Sequence, residues 1–312
     1  MNALKTVLKR GALVAAANWQ VTLVQATADS LFKLLIATPI LGGVFLVALV
    51  AGTEPRDLVG LEWRELAATI VSSLLSHPVV LTAFLLAVGV VVVGGSLFVF
   101  LVKAGTVGTL VRGERQAGPI EEPPLHLETI RKGAAFSAQD YIAASRALFP
   151  RYARLGFMLM ALYAVSGLAY IAAVFAVGLT GDTLGLAALF TAGFVTWITV
   201  VNWVYLLAQI VIASDDCSVA AAMARVATFV RRDRRQVGAV FLVVLVVVVA
   251  ATGVSWLATA ALWLIGFVPF IGLALIPIQL MAWLFRSIVF QYLGLSAVGA
   301  YGKLYRDDHS YD

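Results

Sequence analysis

Long uninterrupted runs of apolar residues dominate the pattern of this chain. A helix needs about 20 such residues to cross the hydrocarbon core of a bilayer, which is about 30 Å thick. Six runs meet this length, at 31–52, 78–104, 153–178, 184–213, 237–263 and 270–297. They lack the alternating polarity of barrel strands, so the pattern predicts six transmembrane helices.

The composition supports the same prediction. Of the 312 residues, 62% are hydrophobic and 12% are charged, and the mean hydropathy is +0.97. Soluble domains average about 45–50% apolar and about 25% charged residues, and a soluble core of this size cannot enclose so much apolar surface. We therefore expect residues 1–312 to form one integral membrane domain of the all-α class.

The charges of the connections alternate along the chain. Basic residues concentrate in the N-terminal segment, in 105–152, in 214–236 and at the C-terminus, whereas 53–77, 179–183 and 266–269 have no basic excess. Positively charged loops remain in the cytoplasm. The alternation predicts an even number of spans with both termini cytoplasmic.

The first residues resemble the start of a signal peptide. Lys5, Lys9 and Arg10 precede the apolar run Gly11–Ala17. This run is at the short limit for the apolar region of a signal peptide, and polar residues follow it. We expect an uncleaved amphipathic start that lies in the membrane interface.

Three segments on the basic side have the pattern of amphipathic interfacial helices: Ala3–Asp29, Ser137–Phe149 and Ser218–Arg232. Each precedes two spans, so we predict three units, each an interfacial helix followed by a hairpin. The alternative is that any cytoplasmic loop close to lipid acquires this pattern.

The interfacial segments differ in regularity. In the third, apolar residues recur at helical spacing, at Val219, Met223, Val226 and Val230. In the second, Ser137 and Asp140 form an S-x-x-D capping pattern. Pro150 is expected to end that helix before the third span.

A short motif recurs at the ends of the second and sixth spans. Gly105–Arg112 reads GTVGTLVR and Ser296–Lys303 reads SAVGAYGK. The motif has three interpretations. It indicates a repeat, or small residues that permit close helix packing without a repeat, or a coincidence. The segment that follows the first copy, Gly113–Leu127, is expected to be an exposed linker.

Candidate catalytic and cofactor-binding groups are scarce. The three histidines, His77, His126 and His309, lie outside the spans, which excludes bis-histidine haem ligation in the bilayer. The single Cys217 excludes an internal disulfide and a multi-cysteine metal site. The chain has no nucleophile elbow, zinc-protease motif or P-loop, so we expect no enzyme activity and no cofactor.

Asp215, Asp216 and Cys217 form a compact polar cluster at a membrane edge. Such a cluster can hold a cation or a lipid amine. Aspartates before a helix more often cap it, because they accept hydrogen bonds from its free N–H groups. We expect capping here.

Arg286 is the exception to the apolar spans, because it lies near the middle of the sixth. Arginine at this depth costs about 2.5–3.5 kcal/mol on insertion scales and indicates function by default. Its candidate partners include Asn202 and Gln279, so these three residues form a candidate intramembrane polar site. The alternative is an arginine that extends to the headgroups.

The stretch from Ser214 to Arg306 carries a resemblance to a known family. It has an acidic turn, the pattern S-x-A-x-A-x-x-R, a basic cluster, a Val/Leu-rich span, a Val-Pro turn and a span that ends in GKLYR. It resembles poorly characterised bacterial polytopic membrane proteins related to the membrane domain of glycerophosphodiester phosphodiesterases. The resemblance implies an architecture and a place in the bacterial cytoplasmic (inner) membrane, but no site residues.

Two classes of function follow. The first is a non-enzymatic membrane protein that acts as a scaffold or accessory subunit, or handles lipid. The alternative is a transporter or channel with a cavity near Arg286. Membrane lipids are the expected partners, with further proteins in the membrane as candidates and no nucleic acid.

The loop charges make the topology testable. Cysteines introduced at positions 57 and 182 should react with an impermeant reagent from outside, and those at positions 121 and 233 should be protected, because only the latter lie in basic loops. Accessibility labelling in intact cells measures this, and the reverse labelling pattern would reject the topology.

Overall fold

The structure, a computed structural model, describes residues 2–52, 65, 72, 75–122, 127–178, 183–266 and 271–309. These residues form helices α1 (Asn2–Ala17), α2 (Trp19–Ala51), α3 (Pro78–Gln116), α4 (Leu127–Lys132), α5 (Ala138–Gly178), α6 (Thr183–Asp215), α7 (Val219–Arg232), α8 (Arg234–Gly266) and α9 (Ile271–His309). Asp57, His126, Asp182 and the Val-Pro turn, about which the sequence made predictions, lie outside the described residues.

The six longest helices correspond to the six predicted spans. Within the described ranges, α2, α3, α5, α6, α8 and α9 are long and apolar enough to cross a membrane. They pair in chain order as three hairpins, α2 with α3, α5 with α6, and α8 with α9. The prediction of an all-α polytopic membrane protein is therefore confirmed.

The chain divides into two compact units, one of Thr27–Phe100 and the other of Met1–Ala26 with Leu101–Asp312. The first unit contains the body of the first hairpin. Its small core consists of Val47 and Ala48 packed against residues of α3 that include Phe84. Each candidate site described below belongs to the second unit.

In the second unit, the ends of α3, α6 and α9 extend beyond the predicted spans. We call this end, where Arg10, Arg115 and Arg306 lie, the basic end. Here α1 crosses the last part of α9 so closely that a Cβ atom on Gly11 would overlap the Ser296 carbonyl and approach Ala300 N to 2.6 Å. The Tyr292 hydroxyl also donates to Ala12 O (3.0 Å). Small residues in the second copy of the motif thus permit this crossing.

The first copy of the motif makes an equivalent crossing. Gly105 packs against Tyr141 and Ser145 near the start of α5, as Ser296 packs against Gly11 of α1. The Tyr141 hydroxyl donates to Val102 O (2.8 Å). In both cases the end of a second span packs on an interfacial segment, so the recurrence of the motif has a structural counterpart.

The third interfacial segment forms the separate helix α7, as predicted. Its buried residues are Val219, Ala222, Val226 and Phe229. Of the predicted apolar face, Val219 and Val226 are buried against the protein, whereas Val230 is half-buried and Met223 is exposed. Phe229 occupies the centre of the face because it packs edge-on against the Tyr305 ring, at a centroid distance of 5.4 Å.

Two boundary predictions are wrong. Helix α5 continues through Pro150, and the next turn is anchored because the buried Tyr152 hydroxyl donates to Gln209 O (2.7 Å). The first interfacial helix ends at Ala17 and not near Asp29, where the Asn18 side chain bonds both Val14 O of this helix and the segment after α4. The Nδ2 of Asn18 donates to Gly133 O (2.7 Å), and its Oδ1 accepts from Ala135 N (2.9 Å).

The crossing of α1 and α9 predicts a penalty for a single methyl group. Gly11→Ala should destabilise the protein by about 1–3 kcal/mol, the usual cost of overpacking, because the new Cβ meets backbone atoms of α9. The midpoint of thermal unfolding in detergent measures this loss.

Gly238→Ala is the matched control, since a Cβ at Gly238 in α8 has no atom within 4 Å and alanine favours helix. Equal midpoints for the two variants would contradict the close crossing.

Candidate functional site

A cavity of about 110 Å³ lies at the basic end, between the ends of α3, α6 and α9. Helix α6 contributes Ser214 and Asp215 to it. We call it the basic-end cavity. Its walls carry both acidic and basic side chains, so its chemistry depends on how these charges pair.

Helices α3 and α9 line the basic-end cavity in the register of their shared motif. The residues six, nine and ten positions after Gly105 and after Ser296 all belong to the lining: Val111, Glu114 and Arg115 in α3, and Gly302, Tyr305 and Arg306 in α9. The equivalence therefore extends beyond the motif itself, and two of the three interfacial units contribute equivalent positions to one cavity.

Glu114 is the most buried charge of this cavity and is fully paired. Its side chain is 3% exposed, and its Oε1 lies 2.8 Å from Arg10 Nε and 2.8 Å from Arg306 Nη2. Arg10, 2% exposed, also donates to Glu114 O (2.9 Å) and to Glu121 Oε2 (2.6 Å). These bonds join α1, α3 and α9, so the cluster is a structural contact between three distant parts of the chain.

The prediction that Asp215 and Asp216 cap α7 is wrong. Ser218 is the N-cap, and its hydroxyl accepts from Ala221 N (3.3 Å). Asp215 belongs to the last turn of α6, where it accepts from the Tyr305 hydroxyl (2.5 Å) and pairs with Arg225. Both aspartates satisfy side chains from other helices, since Asp216 pairs with Arg151 of α5.

The segment between α6 and α7 has shifted protonation equilibria. The hydrogen bond from the Arg151 guanidinium lowers the pKa of the Asp216 carboxyl below its usual value. Partial burial is the main cause that raises the pKa of the Cys217 thiol. Asp216 is thus held ionised and Cys217 neutral at pH 7, and Asp216 takes a left-handed backbone conformation with φ +49°.

Arg286 and Gln279, two residues of the predicted polar site, line one cavity between α8 and α9. This hairpin cavity has a volume of about 520 Å³ and is lined mainly by apolar side chains, with Ser255 and Thr259 as polar members. The Arg286 side chain is exposed on its wall, with its Cζ atom 5.6 Å from the centre of the Phe290 ring. Among the described residues it has no hydrogen bond or ion pair.

Asn202 lies in another contact. Its Oδ1 accepts from the Tyr163 hydroxyl (2.5 Å), and its Nδ2 donates to Ile198 O (3.0 Å). The structure therefore joins α5 to α6 through Asn202 and does not pair it with Arg286. Of the three predicted residues, Arg286 and Gln279 line the same cavity and Asn202 does not.

Metal binding has no support in the described ranges, where no three His, Cys, Asp or Glu residues lie close enough to hold an ion. The carboxylates of the basic-end cavity are instead neutralised by arginines.

The sequence interpretation missed Glu114, which it placed in an exposed linker. One signal was present, because Val107, Leu110, Val111 and Glu114 follow the spacing of one helical face. Helix α3 does continue to Gln116, and Ala117 and Ile120 beyond it are also buried. The prediction of an exposed linker is therefore wrong for Glu114, Ala117 and Ile120, which are buried, and for Glu121, which bonds Arg10.

The fold described above defines a polytopic all-α membrane protein. A comparison with protein-family models, with curated proteins and with solved structures finds no match to this chain.

The buried arginine makes a stability prediction. Arg10→Met should lower stability by about 3–5 kcal/mol, the usual cost of removing one partner of a buried ion pair, because Glu114 keeps its charge with one arginine fewer. A lower midpoint of thermal unfolding in detergent is the expected result.

Arg146→Met is the matched control, since Arg146 is exposed on α5 and forms no ion pair with any described residue. Unfolding of both variants at the wild-type midpoint would show that the Arg10 cluster is energetically neutral.

Proposed function

We propose that this protein is a non-enzymatic, lipid-handling membrane protein whose hairpin cavity binds an acidic lipid. Arg286 carries the proposal. A guanidinium has five donors, and an unpaired charge in hydrocarbon is costly. Phe290 offsets only part of that cost, since a cation–π contact contributes about 0.5–2 kcal/mol. An acidic headgroup or carboxylate supplies the missing partner.

The size and lining of the hairpin cavity support a lipid more than a small polar solute. The cavity follows α9 from Gln279 to Phe290, 11 positions further on, which is about 16 Å of helix. Ligand cavities typically have volumes of about 300–1,000 Å³, and this one lies within that range. Its apolar wall suits an acyl chain, and Arg286 and Gln279 suit the polar group.

A transporter or channel that uses the same cavity is the second candidate. Ser255, Thr259 and Gln279 favour it, because polar side chains can line a solute path. Thr259, however, donates its hydroxyl to Ser255 O of its own helix (2.8 Å). Few polar groups remain for a solute, which makes lipid binding the better supported function.

The proposal includes a location in the bacterial inner membrane with the basic end in the cytoplasm. The alternation of loop charges supports this orientation. The family resemblance of Ser214–Arg306 supports the bacterial membrane. Scaffold or accessory roles with other membrane proteins are compatible with lipid binding and need no further site.

The proposal predicts a loss of bound acidic lipid on removal of one charge. Arg286→Leu should reduce retention of an acidic phospholipid about ten-fold or more, since a charged hydrogen bond contributes about 1.5–3 kcal/mol. Arg286→Lys should restore part of it, because lysine keeps the charge but loses the planar fork. Native mass spectrometry of protein extracted from vesicles of phosphatidylglycerol and phosphatidylethanolamine measures the retained lipids.

Arg235→Leu, at an exposed position of α8 outside the cavity, is the control for net charge. Wild-type lipid retention by Arg286→Leu would reject the proposal. If Arg286→Leu retained lipid as the wild type does but lost solute flux in proteoliposomes, the transporter would become the better supported function.

A further inference from the structure

A second apolar groove lies between α5 and α6 at their basic ends. It has a volume of about 410 Å³, and its walls include Leu155, Met158 and Leu162 of α5 and Trp197 and Val204 of α6. We call it the α5–α6 groove. The Trp197 indole donates to Ser166 Oγ (3.0 Å) and joins the two helices at the deep end of the groove.

The amphipathic helix α7 covers the shallow end of this groove. Met223 belongs to the groove wall and remains 38% exposed. Helix α7 is fixed over the groove by the Arg225–Asp215 ion pair and by the contact of Phe229 with Tyr305. The groove is thus open beside a methionine, a side chain that adapts to irregular apolar partners.

Two arginines of α5 lie one helical turn closer to the basic end than the apolar residues that line the groove. Arg151 precedes Leu155 by four residues, and Arg154 precedes Met158 by four, so each shares a face with a groove residue. Helical side chains tilt toward the N-terminus of the helix, which here is the basic end. The guanidinium groups therefore extend from the groove toward the headgroup layer.

The two arginines are not equally available. Arg151 pairs with Asp216, whereas Arg154 is exposed and has no hydrogen bond or ion pair with any residue in the described part of the chain. Asp216, 77% exposed, competes with any anion for Arg151. An incoming anion would meet Arg154 first and share Arg151 with Asp216.

We propose that the α5–α6 groove binds one anionic phospholipid from the leaflet at the basic end. One acyl chain lies between Leu162 and Met223, and the phosphate lies on Arg154, with Arg151 as the second cation. From Leu155 to Leu162 the wall rises about 10 Å, which is within the half-thickness of a hydrocarbon core of about 30 Å. This site shares no residue with the hairpin cavity and does not depend on it.

The test uses the full-length chain with Arg286→Leu as background, so that the hairpin cavity cannot contribute. The protein is reconstituted in vesicles of phosphatidylglycerol and phosphatidylethanolamine. Native mass spectrometry then measures the ratio of retained phosphatidylglycerol to retained phosphatidylethanolamine. Arg154→Gln should lower this ratio about five-fold, the equivalent of about 1 kcal/mol per basic residue near an anionic surface.

Asp216→Asn should change the ratio in the opposite direction. It removes the competing charge from Arg151 and should raise the retained fraction of phosphatidylglycerol by up to about five-fold. Asparagine also tolerates the left-handed conformation of this position, so the backbone is preserved. A gain of binding cannot be explained by a folding defect.

Two further variants complete the test. Val200→Trp should fill the groove and reduce retention of both lipids, whereas Arg235→Gln removes an exposed charge of α8 and should leave the ratio unchanged. If Arg154→Gln matched Arg235→Gln, or if Asp216→Asn lowered the ratio, the proposal would be overturned.

Discussion

The pairing of Arg10 with Glu114 is the contact on which the basic end of the second unit depends. These residues are 104 positions apart and nearly inaccessible to solvent. A buried charge requires a partner, so α1 can be placed only where its arginine reaches Glu114 and Glu121. Arg306 then brings the end of α9 to the same carboxylate. With α1 in this position, Gly11 lies against α9, and Glu114 and Arg306 lie together in the wall of the basic-end cavity.

Close packing of interfacial segments on the ends of spans is the second organising feature. It occurs where Gly11 meets Ser296 and again where Ser145 meets Gly105. Small residues make both contacts possible, because helices approach closely only where side chains are short. The same register continues into the basic-end cavity, where Glu114 and Tyr305 occupy equivalent positions. The two copies of the motif carry different side chains at these positions. The helix packing therefore recurs, whereas the ion pairs do not.

Three of the described arginines, Arg10, Arg286 and Arg154, lie in different environments. Arg10 is buried in protein and is satisfied by carboxylates and carbonyls, so its role is structural. Arg286 lies within a span, with its Cζ atom 5.6 Å from the centre of the Phe290 ring, and no described residue forms an ion pair with it. Arg154 lies at the basic end below an apolar groove, where water and headgroups reduce the cost of its charge. Lipid recognition is proposed only for the second and third environments.

The sequence by itself determined the six spans, their pairing in hairpins and the helix of Ser218–Arg232, because hydropathy and helical period depend on neighbouring residues. Only the tertiary structure decided the partners of the polar residues. Glu114, Asp215 and Asn202 bond side chains at least ten positions away in sequence, and local pattern carries no information about such distances. Pro150 remains within a helix for a related reason, since the contact of Tyr152 with α6 supports the turn that the proline weakens. The composition of a segment determines whether it lies in lipid or in water, whereas the pairing of buried polar groups determines which segments pack together.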